Sequence, residues 1–174
     1  MKKAILLIII LIFLTGCGMF DLGGFITPDD VEFIACVKEL DTPQKISNYM
    51  ILNFTYEAHI FYTPDPYTLW KTGLGDCDDM AIFGAYAAYV NNIEVYNIRI
   101  FYSGTIVKHR IAIYVEDDGL SFTDNQDYFN NYGYFFSTFR EIVKYDNTLK
   151  NDKSWSKYIV YNYDMNIVEQ GHNN

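Results

Sequence analysis

Residues Gly75, Asp76, Cys77, Asp78, Asp79, Met80 and Ala81 place a thiol at the point where a helix should begin. The first backbone N–H groups of a helix lack intrahelical acceptors, and the macrodipole adds partial positive charge there, so a thiolate is stabilised in that field. Gly75 permits a sharp entry and Asp76 is a suitable N-cap. Asp79 stands three residues further on, where a carboxylate can reach back in a capping box, although Glu or Gln is more usual. Residues 80–90 are apolar nearly all round, which predicts a helix buried in the core. Three carboxylates beside the thiol oppose its ionisation, so catalysis there needs a cationic partner, best supplied by histidine. Two other readings compete. A buried thiol packs as a small hydrophobe, and Asp76, Asp78 and Asp79 offer hard oxygens to a cation, but without the alternating ligands and internal glycine of an EF-hand loop.

Acyl transfer by a thiolate needs a base to hold and return a proton, and a third group to fix the tautomer of that base. The sequence has three histidines. His172 lies near the chain end beside Gly171 and Asn173, where order is not expected, and His59 precedes the cysteine in a poorly defined segment. His109 shares a strand face with Val107, Ile111, Ile113 and Val115, so it meets Cys77 if the buried helix packs on that face. The competing reading is a core histidine satisfied by hydrogen bonds. Either two-residue turn, Asp117-Asp118 or Asp118-Gly119, puts His109 on the face of Asp124, Gln126 and Tyr128, with Asp127 facing the other way. With the first turn, Asp124 lies opposite Ile111 and diagonal to His109, within reach of a carboxylate–imidazole hydrogen bond. A three-residue loop selects Asp127 instead, and Asp124 can also be read simply as a turn-forming aspartate.

The elements that must position these groups fall into two blocks. Thr27-Pro28-Asp29-Asp30 has the signals of a helix start, with the helix running to about residue 40 and carrying Cys36 on an apolar face with Val31, Ile34, Ala35 and Val37. Thr42-Pro43 repeats the signal for a second helix with Ile46, Tyr49, Met50 and Asn53 at helical spacing. A loop with Pro64 and Pro66 leads to a helical turn through Trp70 that ends at Gly73. Strands are predicted over 94–102, 106–116 and 120–124, joined by Ser103-Gly104 and Asp117-Asp118-Gly119. Residues 137–145 are consistent with a helix and 157–163 alternate as a strand. Helices first and strands afterwards indicate an α+β domain in which N-terminal helices cover one face of an antiparallel sheet.

Lys2 and Lys3, an apolar run over residues 4–14 and then Leu14-Thr15-Gly16-Cys17 have the charged, apolar and small-residue regions of a secretory signal. The competing reading is a transmembrane helix, but the run is short against the roughly 20 residues needed to span a bilayer. Removing residues 1–16 from the 174-residue chain leaves a tether over 17–27 and one domain over 28–168. The whole chain carries a net charge of −9, and the removed segment holds only basic charges, so nucleic acid is not an expected partner. An exported location permits Cys36 and Cys77 to pair, which would abolish the nucleophile, but Cys36 reads as a core residue. The 16 tyrosines either finish half-buried strand faces or line a cleft suited to an extended peptide.

The signal region resembles that of bacterial lipoproteins. The resemblance implies lipid attachment at Cys17 and a place in the bacterial cell envelope, membrane-anchored and facing outside the cytoplasm. The run from Gly75 to Ala81, with His109 and Asp124 following in order, resembles the transglutaminase-like superfamily over about residues 43–128, and more narrowly the bacterial transglutaminase-like cysteine proteinases. That resemblance implies a papain-like α+β fold with Cys77 as nucleophile, His109 as general base and acid, and Asp124 orienting it, with no cofactor or metal. After the histidine such relatives usually show a small residue and an aromatic, where this chain has Arg110 and Ile111. An oxyanion hole would use the Cys77 backbone N–H and an upstream donor, with Tyr56, Tyr62 and Trp70 as candidates. The expected function is an exported, lipid-anchored cysteine hydrolase. It would act on peptide or isopeptide bonds of a protein or peptide substrate through a thioester, with transamidation if an amine replaces water. The alternative is a non-catalytic surface lipoprotein that binds an envelope protein or wall peptide.

Overall fold

A computed structural model of the chain describes residues 29–59, 65–130, 133–150 and 154–173. The signal segment, Cys17, the tether through Thr27, Pro28, and Tyr62 lie outside the described residues. In chain order the elements are α1 (Val31–Lys38), α2 (Pro43–Asn53), β1 (Thr55–Tyr56), α3 (Pro66–Thr72), β2 (Leu74–Gly75), α4 (Cys77–Val90), β3 (Val95–Tyr102), β4 (Lys108–Glu116), β5 (Gly119–Asp124), β6 (Asp127–Phe129), α5 (Phe139–Leu149), β7 (Trp155–Asn162) and β8 (Ile167–His172).

Local chemistry sets the helix starts. Thr42 Oγ1 accepts the Lys45 N–H at 3.2 Å ahead of α2, and Asp65 Oδ2 accepts the Thr68 N–H at 2.9 Å ahead of α3. Helix α3 stops at Gly73, whose φ of 69° is a left-handed conformation that glycine adopts without strain. Helix α1 begins later than the Thr27 signal indicates, because the Asp30 carboxylate accepts the Glu32 and Phe33 N–H groups at 3.0 and 3.1 Å. Its buried face is Phe33, Val37 and Leu40, whereas Val31 is 78% exposed. Phe33 decides that face by packing its ring 5.3–5.5 Å from Tyr67, Trp70 and Tyr86.

The fold is α+β, with the N-terminal helices packed on an antiparallel six-stranded sheet in the order β6-β5-β4-β3-β7-β8. One face, with Val95, Ala112 and Tyr114, packs on α4 and the helices around it, where Met80, Phe83 and Ala87 are fully buried. Burying a side chain as large as Phe83 stabilises the fold by about 1.5–3 kcal/mol. The other face, with Ile98, Ile100, Ile111, Ile113 and Phe122, packs on Ile142 and Val143 of α5. Helices therefore cover both faces rather than one. Helix α5 starts at the Thr138 N-cap and runs to Leu149, a turn beyond the expected end. The short strands β1, β2, β6 and β8 add to the predicted set, and His172 pairs with Lys157 at the sheet edge. Among the described residues no helix is long and apolar enough to cross a membrane.

Candidate active site

Cys77 is the first residue of α4, directly after the Asp76 N-cap. Asp76 Oδ1 accepts the Asp78 N–H at 2.8 Å, and Asp79 Oδ2 accepts the Asp76 N–H at 2.9 Å, which completes the capping box. Each of the three acids around the thiol is engaged. Asp78 faces Arg99 at 3.4 Å and Arg110 at 3.3 Å. Asp79, whose carboxyl is pushed up chiefly by burial, takes His59 Nε2 at 2.8 Å. The local excess of negative charge read from the sequence is thus offset by two guanidinium groups from elsewhere in the fold, and the His59 imidazole contacts Asp79. Arg110, which departs from the pattern of the resembling family, is one of them.

His109 is buried, and its Nε2 lies 2.8 Å from Asp124 Oδ1. The β4–β5 ladder pairs Glu116 with Gly119 and Ala112 with Thr123, so Asp117-Asp118 is the turn and Asp124 falls diagonal to His109. Asp124 ends β5 because Asn125, with φ of 52°, turns the chain into β6. Gln126 then donates from Nε2 to the Met50 carbonyl at 3.0 Å, and Asp127 is exposed. The strand parity assigned to Gln126 and Tyr128 from the sequence therefore stops at this two-residue turn. Burial alone would pull His109 down. The hydrogen bonds to Asp124 and to Cys77, with the charges of Asp124 and Asp146, outweigh it and push His109 up to about 10. Burial opposes the charge on Asp124, yet the bonds to His109 and Lys150 leave its carboxyl below the usual range.

The route by which Cys77 and His109 meet differs from the expected one. The cysteine helix packs on the face of Arg110, Ala112 and Tyr114, and His109 belongs to the opposite, α5-covered face. Successive side chains of β4 point to opposite faces, and both faces are apolar, so the sequence pattern does not tell which layer covers which. The groups still converge near the end of the β4–β5 ladder, whose last pair is Ala112–Thr123. There Cys77 and His109 line one cleft of about 230 Å³ together with Tyr56, Lys108, Asn125 and Lys150. An adjoining cavity of about 330 Å³, lined by Ser103, Thr105 and Ser154, shares Tyr102 and Val107 with it. Of the oxyanion-hole candidates, Tyr56 lines the cleft, whereas Trp70 packs beside Phe33 in the core. Cys36 and Cys77 are both free thiols.

Two residues that the sequence did not single out, Lys150 and Asp146, and one that it set aside, His59, complete this environment. Lys150 binds Asp124 Oδ2, Asp146 Oδ1 lies 3.8 Å from His109 Nε2, and His59 binds the first turn of α4. Among the described residues two groups bring atoms that could hold a cation within 4.8 Å of one another, His59 with Asp76 and Asp79, and His109 with Asp124 and Asp146. In the second group the Lys150 ammonium already supplies a positive charge.

No protein-family profile matches the sequence, and no curated protein matches it. Among solved structures the chain is similar to Legionella pneumophila LapG, with a TM-score of 0.43 and 15% sequence identity over 70% of this chain and 84% of that chain.

Proposed function

We propose that the chain is a cysteine hydrolase of peptide or isopeptide bonds, with Cys77 as nucleophile, His109 as general base and acid, and Asp124 as the group that orients His109. The observation that carries this reading is a buried imidazole hydrogen-bonded at 2.8 Å to Asp124 that lines one cleft with the thiol at a helix start. Because Nε2 is held by Asp124, Nδ1 is the nitrogen available to Cys77. The Cys77 thiolate attacks the carbonyl carbon and forms a C–S bond, and the His109 imidazolium gives its proton to the departing amine as the C–N bond breaks. Water then attacks the thioester. Neutral His109 takes a proton from it, the C–S bond breaks, and the thiolate–imidazolium pair returns. The developing oxyanion is served by the Cys77 backbone N–H, with Tyr56 as the nearby side-chain donor. An amine in place of water gives transamidation. The signal region further supports export and attachment of lipid at Cys17.

Site-resolved alkylation with iodoacetamide tests the reading. Cys77 should react faster than Cys36, and His109→Ala should abolish the difference. Equal rates that ignore His109→Ala would point instead to a surface module that retains the fold without the chemistry. Product analysis with and without an added primary amine separates hydrolysis from transamidation, and mass spectrometry of the mature N-terminus tests Cys17.

A further inference from the structure

We infer that Asp146 is a positioning residue for the base, a second buried carboxyl behind His109 that holds the imidazole in its charged form and keeps its free nitrogen aimed at Cys77. The inference rests on the reading of Cys77, His109 and Asp124 as the reacting set. Asp146 is fully buried, and its Oδ1 has no hydrogen-bond partner while lying 3.8 Å from His109 Nε2. That separation is too long for a hydrogen bond but short for a charge interaction in a site shielded from water. Its other oxygen, Oδ2, lies 3.4 Å from the Tyr102 hydroxyl.

A residue kept only for packing would not be a carboxyl here. A buried carboxyl oxygen without a partner destabilises the fold, and an apolar side chain of similar size would avoid that cost. Burial pushes Asp146 up to about 6, with Asp124 acting in the same direction and His109, Lys150 and Tyr102 against it. The groups facing it are therefore His109 on β4, Asp124 on β5, Tyr102 on β3 and Lys150 one turn along its own helix.

The placement of Lys150 explains why a second carboxyl is useful. Asp146 and Lys150 stand four residues apart at the end of α5, so one helix end delivers both to the back of the His109–Asp124 pair. Lys150 takes Asp124 Oδ2 and draws part of that carboxylate's charge away from the imidazole. Asp146 returns negative charge on the same side of the ring. With both in place the imidazolium faces two acids and one ammonium, and its charge is retained without a second short hydrogen bond that would turn the ring.

The test follows the pH dependence of Cys77 alkylation by iodoacetamide in the full chain, read by site-resolved mass spectrometry, in the parent, Asp146→Asn and His109→Ala. The parent should show an alkaline inflection where His109 loses its proton. Asp146→Asn should move that inflection to lower pH by about one unit, a tenfold weaker hold on the proton. Coincident inflections in the parent and Asp146→Asn would overturn the inference, because a purely structural role shifts thermal stability and leaves the inflection in place. A Cys77 profile that His109→Ala leaves unaltered would instead sink the Cys77–His109 reading itself. Should Asp146→Asn not fold, histidine NMR on the parent chain decides. The His109 ring signals should register a second step near pH 6, where Asp146 takes its proton, and its absence would overturn the inference.

Discussion

Gly84, in the middle of the cysteine helix, lies directly against the Tyr114 hydroxyl, and a Cβ at that position would stand 2.5 Å from it. The close approach seats α4 on the sheet, and Tyr114 is itself fixed by a 3.0 Å hydrogen bond to Thr123. In an open helix Gly84→Ala would stabilise by about 1 kcal/mol. Here overpacking costs about 1–3 kcal/mol and wins. Urea denaturation should show Gly84→Ala to be less stable than the parent, and a gain in stability would mean that α4 can lift from the sheet at no cost.

The His109 titration makes stability depend on pH in a direction that can be calculated. Its proton is held up to about pH 10 in the folded chain against 6.5 for the free side chain. A raised value contributes stability that is fully present below 6.5 and is lost as the pH rises through 10. The thermal midpoint should fall across that window, and it should fall less in His109→Gln.

Asp124 works in the opposite direction. Its carboxyl is held low by His109 and Lys150 against the effect of burial, so it contributes stability above its ordinary value of 3.8, and that contribution disappears as the pH falls through the lowered value. Lys150→Met removes part of this hold. Its acid unfolding midpoint, followed by circular dichroism, should lie at a higher pH than that of the parent.

The cap of α4 is a separate contribution. Asp76→Ala removes the acceptor for the Asp78 N–H and should cost about 1 kcal/mol, while Asp76→Asn should keep most of it. Chemical denaturation of the two variants gives the comparison directly, and equal losses would mean that the charge, not the acceptor geometry, matters.

These residues also show which parts of the site are legible in a sequence. Asp76, Thr42 and Gly73 act within a few residues of themselves, so their roles can be read locally. Asp124 is legible because a tight turn fixes a hairpin register residue by residue, and the Glu116–Gly119 pairing chooses it over Asp127. The layer covering each face of β4 is not legible. Ile111 and Ile113 on one side and Ala112 and Tyr114 on the other are both apolar, and only tertiary packing distinguishes them. Asp146 escapes notice for a related reason. In sequence it is one acid in a largely polar helix end, and only the docking of α5 against His109 buries it. The partners of Asp78 and Asp79, which come from residues 99, 110 and 59, are likewise set by the fold and not by local spacing.

The sheet order places β7 and β8 beyond β3, so the chain leaves β6, crosses the far face as α5 and only then returns to close the second layer. Sulfur, imidazole and the first carboxylate are all in hand by residue 124, yet the ammonium and second acid that set the charge of the ring come from the crossing segment near residues 146–150. A polypeptide emerging N-terminus first therefore carries its thiol from residue 77 to residue 150 before the charged groups around the imidazole are complete, and the surroundings proposed for the base are assembled last.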